Sequence, residues 1–185
     1  DVVLSRGLGD VYKRQGSIAS QSRISNALIK FADQGGTVIG ICNGFQILTE
    51  LKLLPGTLVR NKNLKFICKD INLKVNKNSR FTNLYNNNEV IRIPIAHAEG
   101  NYYTDKKTLK KLKDNDQIIF SYCNENGDIT KESNPNGSLL NIAGITNKKG
   151  NVIGLMPHPE RVSEKVFNNT DGIKFFKSVV NYHNY

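Results

Sequence analysis

The stretch TVIGICNGFQILTEL, Thr37 to Leu51, decides the fold. Val38–Ile41 is a short apolar run, which predicts a buried parallel strand. A helix is expected from Asn43, with Phe45, Ile47, Leu48 and Leu51 as its apolar residues. Upstream, Ile24, Ala27, Leu28 and Phe31 follow the i, i+3, i+4, i+7 spacing of one helix face, and Gly35-Gly36 ends that helix. Helix, strand, helix in quick succession predicts an α/β fold with a parallel sheet.

Cys42 stands at the join between strand and second helix, with Gly40 two residues before it and Gly44 two after. This has the form of a nucleophile elbow carrying cysteine in place of serine. A sharp strand-to-helix turn crowds both flanking positions, so both must be small. The turn presents the side chain at the helix N-terminus, whose dipole favours thiolate over thiol. The backbone N–H of Asn43 is then placed to stabilise an oxyanion. A buried cysteine serving as a small apolar residue fits the same motif equally well.

A cysteine nucleophile needs a base. NVIGLMPHPERV, residues 151–162, offers His158 between two prolines, with Glu160 next but one. Residues before proline are pushed to extended geometry, and there i and i+2 share a side. The carboxylate of Glu160 can therefore orient the His158 imidazole, as in a catalytic triad. On its own, PHPE also reads as a rigid exposed turn; the cysteine elbow makes the catalytic reading the stronger. His97, in IPIAHAEG with Glu99 two residues on, is open between second base, structural residue and interface residue. His183 in the terminal NYHNY is read as exposed.

The bulk properties exclude several classes. Three widely spaced cysteines, Cys42, Cys68 and Cys123, are neither a disulfide framework nor a zinc-ligand set, and with three histidines no metal site is expected. No apolar run approaches the ~20 residues of a membrane span, and a cytoplasmic protein is expected. The formal net charge is +10. The lysines are scattered and accompanied by many asparagines, which reads as codon bias rather than a nucleic-acid surface. Downstream, LKFICKDINLKV, EVIRIPIAH, QIIFSY, LLNIAGIT and NVIGLM read as strands. A lysine-rich helix is expected over residues 105–113 behind Thr104 as cap, and a closing helix with Ile173, Phe176 and Val180 on its apolar stripe.

GxCxGxQ with a distant HPE resembles the class I glutamine amidotransferases. GICNGFQILTELKLLPG, IAHAEG, NPNGS with NIAGI, and GLMPHPER are similar to the glutaminase subunits of phosphoribosylformylglycinamidine synthase. The resemblance covers about residues 16–185. It implies a flavodoxin-like three-layer sandwich with a mainly parallel central sheet, and a Cys42–His158–Glu160 triad that hydrolyses glutamine. It also implies substrate contacts from Gln46 and from Asn136, Gly137 and Ser138. The ammonia is expected to pass to a large synthase subunit, with a small accessory subunit completing the complex. That synthase subunit uses ATP and Mg2+, and this chain is expected to bind no cofactor. His97 and Glu99 match signature positions of the family without an assigned role.

The start of the chain departs from the family. Residues 1–15, DVVLSRGLGDVYKRQ, fit no strand–helix unit and read as a non-native segment, leaving residues 16–185 as a partial amidotransferase domain. The family's first strands, and a Gly-Gly-Phe-type loop with the second oxyanion donor, are expected to be missing. Loss of one such donor costs roughly 10²–10³ in rate, so weak or absent activity is expected of the chain as it stands. Another amidotransferase, a cysteine hydrolase of the same superfamily, and an inactive basic binding fragment remain alternative readings.

Overall fold

A computed structural model describes residues 23–167 and 169–183. The segment 1–15, the resumption point Gly16–Ala19 and the side chain of His183 lie outside the described residues. Eight strands are described: β1 Val38–Ile41, β2 Thr57–Val59, β3 Ile67–Val75, β4 Val90–His97, β5 Asn101–Tyr103, β6 Ile118–Cys123, β7 Ile142–Thr146 and β8 Val152–Leu155. The helices are α1 Arg23–Asp33, α2 Asn43–Glu50, α3 Lys106–Asp114 and α4 Ile173–His183. No helix among the described residues is long and apolar enough to cross a membrane.

Six strands form one sheet in the order β1-β8-β7-β6-β3-β4, and β2 pairs with β5 in a small second sheet. The fold is α/β, as expected, but the described sheet is not mainly parallel. Only β1 and β8 run parallel; the other four pairings are antiparallel. For β7 and β8 the reason is connection length. A turn over residues 147–151 joins β7 to β8, and so short a link can only join antiparallel neighbours. The parallel pair is the one that matters for the site. Every residue of β1 and β8 is buried, which is why both read as unbroken apolar runs.

Gly40 and Gly154 are partners across the β1–β8 ladder. A Cβ on Gly154 would lie 2.1 Å from the Phe45 ring, and one on Gly40 would lie 2.5 Å from Leu48 and 2.7 Å from the Gly44 backbone. Helix α2 therefore rests directly on a pair of glycines, which holds its first turn tight against the strand it follows. Phe45 is wholly buried and stacks on Tyr102 at 5.8 Å, so its ring has nowhere to move. Gly154→Ala is expected to destabilise the fold by about 1–3 kcal/mol through overpacking. Urea denaturation measures this, and an unchanged midpoint would contradict the close approach.

Four local expectations shift. Helix α4 buries Phe175, Ser178 and Val179, while Val180 is 60% exposed. Phe175 joins Phe81 and Phe120 in an aromatic cluster, and the Ser178 hydroxyl accepts the Leu84 N–H, so these two residues set the rotation of the helix. Asp105, not Thr104, caps α3, its carboxylate accepting the Thr108 N–H at 2.9 Å. Leu139–Asn141 is a 3-10 turn rather than the start of β7, with Leu140 and Asn141 at φ 51 and 58. On α1, Leu28 and Phe31 pack on the core while Ile24, one turn earlier, is exposed.

Candidate active site

Cys42 sits between β1 and α2 at φ 54, ψ −107. A non-glycine residue here costs of order 1–3 kcal/mol and persists only where its surroundings enforce it. They do so from both sides. The Cys42 N–H donates to Leu155 O at 2.8 Å, extending the parallel ladder by one bond. The Cys42 carbonyl accepts the N–H groups of Phe45 (2.9 Å) and Gln46 (3.3 Å), which starts the helix. The N–H groups of Asn43 and Gly44 donate to no described backbone acceptor, the ordinary condition of a helix N-terminus. Asn43 thus keeps the donor that the elbow motif requires.

Strands β1 and β8 end together, so Cys42 and the segment after Leu155 leave the sheet at the same end. Met156–Pro157–His158 follows, and Pro159 opens a 3-10 turn, Pro159–Val162. The His158–Glu160 pair therefore forms at the entry to a helical turn, not along an extended chain. Proline at the first helical position makes that turn favourable. His158 Nδ1 lies 2.6 Å from Glu160 Oε1. With Nδ1–H donated to the carboxylate, Nε2 holds the imidazole lone pair. His158 is 3% exposed, and its Nε2 has no hydrogen-bond partner among the described residues.

Strand β4 lies at the opposite edge of the sheet from β1, yet it meets both groups. Cys42 Sγ is 3.8 Å from Ala96 O, and the His158 N–H donates to Pro94 O at 2.8 Å. The sheet is thus curled enough to bring its far edge over the turn, and positions two apart on one strand hold the cysteine and the histidine. Tyr122 on β6 stands within electrostatic reach of Cys42. Burial pushes its phenol far above the ordinary tyrosine range, so it stays neutral.

Gln46 lies one helical turn beyond Cys42, and its Nε2 donates to Glu99 O at 3.0 Å. The NPNGS loop bonds the residues that follow Glu99. Asn136 Nδ2 donates to Gly100 O (2.8 Å) and Tyr122 OH (3.1 Å), and Asn136 Oδ1 accepts the Ser138 N–H. Ser138 Oγ also reaches Gly100 O, and the Gly137 N–H donates to Asn134 Oδ1. Asn136 and Ser138 are buried. In this arrangement the main-chain donors of Gly137 and Ser138, offered by the sequence as substrate contacts, are engaged inside the protein. The loop acts as a brace behind residues 99–102.

His97 is wholly buried, with Nδ1 3.1 Å from Asn61 Oδ1. Sequence reasoning passed over Asn61, which lies in the lysine- and asparagine-rich run RNKNLK and carries no periodic or motif signal. Ala96 was invisible for another reason: its contribution is a main-chain carbonyl, which any residue supplies.

A cysteine elbow and a histidine–glutamate pair at the ends of two parallel neighbouring strands define a class of protein, and the comparisons name it. A family model described as a CobB/CobQ-like glutamine amidotransferase domain matches residues 10–183, and the chain belongs to that family. It is 50% identical over 184 residues to phosphoribosylformylglycinamidine synthase subunit PurQ of Aquifex aeolicus, covering 97% of this chain and 81% of the relative. The PurQ subunit of Koribacter versatilis is 54% identical over 170 residues, covering 91% of this chain and 74% of that one. Among solved structures, the PurLQS structure from Thermotoga maritima matches with a TM-score of 0.79 at 40% identity, covering 94% of this chain and 74% of its own.

Proposed function

We propose that this chain is the glutaminase subunit of a phosphoribosylformylglycinamidine synthase, acting in purine biosynthesis in the cytoplasm. One observation carries the assignment of its chemistry. His158 is oriented by Glu160 at 2.6 Å with its Nε2 left unengaged, and the Cys42 turn and His158 are both anchored on β4.

In this reading the Cys42 thiol gives its proton to His158 Nε2, and the thiolate attacks the side-chain amide carbon of glutamine. The Asn43 N–H stabilises the resulting oxyanion. The imidazolium returns the proton to the departing nitrogen, ammonia leaves, and a glutamyl thioester remains. Water, deprotonated by His158, then cleaves the thioester to glutamate and restores the thiol. Gln46 contacts the substrate glutamine, and Asn136, Gly137 and Ser138 hold the wall of its pocket. The ammonia is consumed by a large synthase subunit, with a small accessory subunit in the same complex. ATP and Mg2+ serve that synthase subunit, and none of the steps above draws on them.

The test is covalent trapping. A chloroketone analogue of glutamine is expected to add one equivalent of mass at Cys42, and excess glutamine to block the addition. Cys68 is exposed, so the experiment uses a Cys68→Ser background. Cys123 does not compete near pH 8, because burial pushes its thiol up to about 11. Labelling of Cys42 that glutamine fails to slow would overturn the assignment.

A further inference from the structure

Residues 96–100 touch both parts of the site: Ala96 O faces the Cys42 sulfur, and Glu99 O accepts Gln46 Nε2. Between them the chain leaves β4 and turns into β5. Besides Asn136 and Ser138, which hold Gly100 O, a third buried side chain grips that turn. Asn61 is 0% exposed; its Nδ2 donates to His97 O at 2.9 Å and to Lys65 O at 2.8 Å. Its Oδ1 accepts the Gly100 N–H at 3.0 Å and faces His97 Nδ1 at 3.1 Å, and its backbone N–H donates to Ala98 O at 2.8 Å. Because Nδ2 meets two carbonyls, the amide has one orientation, and the His97 proton is thereby assigned to Nδ1. The ring of His97 fills the space beside Gly100, where a Cβ would fall 2.2 Å from Cε1. The turn is therefore closed on a histidine whose Nδ1 faces the Asn61 amide oxygen.

We propose that Asn61 is a positioning residue for substrate glutamine: by holding His97 and Gly100 it places Glu99 O, and through that carbonyl it sets the Gln46 side chain. The proposal rests on the reading of Gln46 as a substrate contact. Removing the Asn61 side chain strips the Gly100 N–H and the His97 carbonyl of buried partners, and the turn relaxes to find others. Gln46 then loses its preset orientation, and the loss appears in glutamine binding more than in bond cleavage.

The experiment is a double-mutant cycle on glutamine hydrolysis by this chain in complex with its synthase subunit. Asn61→Ala is expected to raise KM for glutamine about tenfold while kcat changes less than about threefold. Added to Gln46→Ala it is expected to raise KM by less than about twofold more, since the two changes remove one interaction. Independent, multiplicative KM effects, or a fall in kcat at constant KM, would overturn the proposal, because general loosening of the fold does not pass through Gln46. Asn61→Asp keeps both Oδ1 contacts and loses the two Nδ2 donations; it serves the same cycle if the alanine variant fails to fold. A crystal structure of either variant supplies a readout free of turnover. The Gln46 Nε2–Glu99 O separation is expected to exceed about 3.5 Å, and a retained hydrogen bond would refute the proposal by itself. A wild-type complex without glutaminase activity would agree with the weak activity expected of the chain as it stands; the glutaminase reading then rests on the trapping of Cys42, and the crystal structure of the variant alone decides the proposal.

Discussion

Cys42→Ala is expected to reduce glutamine-dependent turnover of the complex by at least about 10⁴-fold. No other thiol can substitute. Cys68 is exposed on β3, and Cys123 is held protonated by burial. The same variant is expected to retain synthesis driven by added ammonium salt, because the nucleophile serves only to release ammonia from glutamine. Folding should survive as well. The elbow is built from main-chain bonds to Leu155, Phe45 and Gln46, and alanine leaves these in place. Measuring both nitrogen sources on one preparation separates a chemical defect from a folding defect. Loss of both activities would show that Cys42 is a packing residue, and retention of both would remove it from the mechanism.

Glu160→Gln should be nearly as damaging, for a different reason. Glu160 accepts from His158 Nδ1 at 2.6 Å, which keeps the proton there and the lone pair on Nε2. An amide at this position can turn its NH2 toward Nδ1. The imidazole proton then moves to Nε2, the atom that must accept the thiol proton. Turnover is expected to fall by about 10³–10⁴-fold, although the substitution is nearly isosteric. The Glu160 side chain is 26% exposed, so the unfolding free energy should move by less than about 1 kcal/mol. The assay is glutamine hydrolysis beside a thermal melt. A rate within a factor of a few of wild type would mean that the carboxylate does not set the tautomer.

Both predictions draw on residues that the sequence alone singles out. Cys42 and His158 were legible because each is tied to a backbone device with its own residue signature: paired glycines for the elbow, paired prolines for the turn. Gly40 also proved to serve a second purpose. It allows the elbow to turn and, with Gly154 beside it, lets α2 lie on the sheet. The direction of most strand pairings was not legible. An apolar run states that a strand is buried, not which way its neighbour runs; the short link over residues 147–151 fixes the direction of β7 against β8, but no such link joins β3 to β6. The rotation of α4 was misjudged for a related reason. Ile173, Phe176 and Val180 make a proper helical stripe, but the cluster of Phe81, Phe120 and Phe175 and the bonds to Ser178 outweigh it.

The NPNGS segment and IAHAEG show where local reading stops. Both carry recognisable residues; NPNGS was expected to address substrate, and His97 of IAHAEG was open between second base, structural residue and interface residue. In the folded chain the side chains of Asn136 and Ser138 address Gly100, while His97 addresses Asn61, 36 residues away in sequence. Short-range chemistry, including turns, caps and an i, i+2 pair, is written in neighbouring residues, so the order of the residues alone pointed to Cys42, His158 and Glu160 as the nucleophile, base and orienting carboxylate proposed above. The approach of β4 to the elbow, the brace behind Gln46 and the grip of Asn61 depend on a curled sheet that brings its two edges together. Those contacts form between main-chain groups and buried amides distant in sequence, and only tertiary packing decides which of them meet.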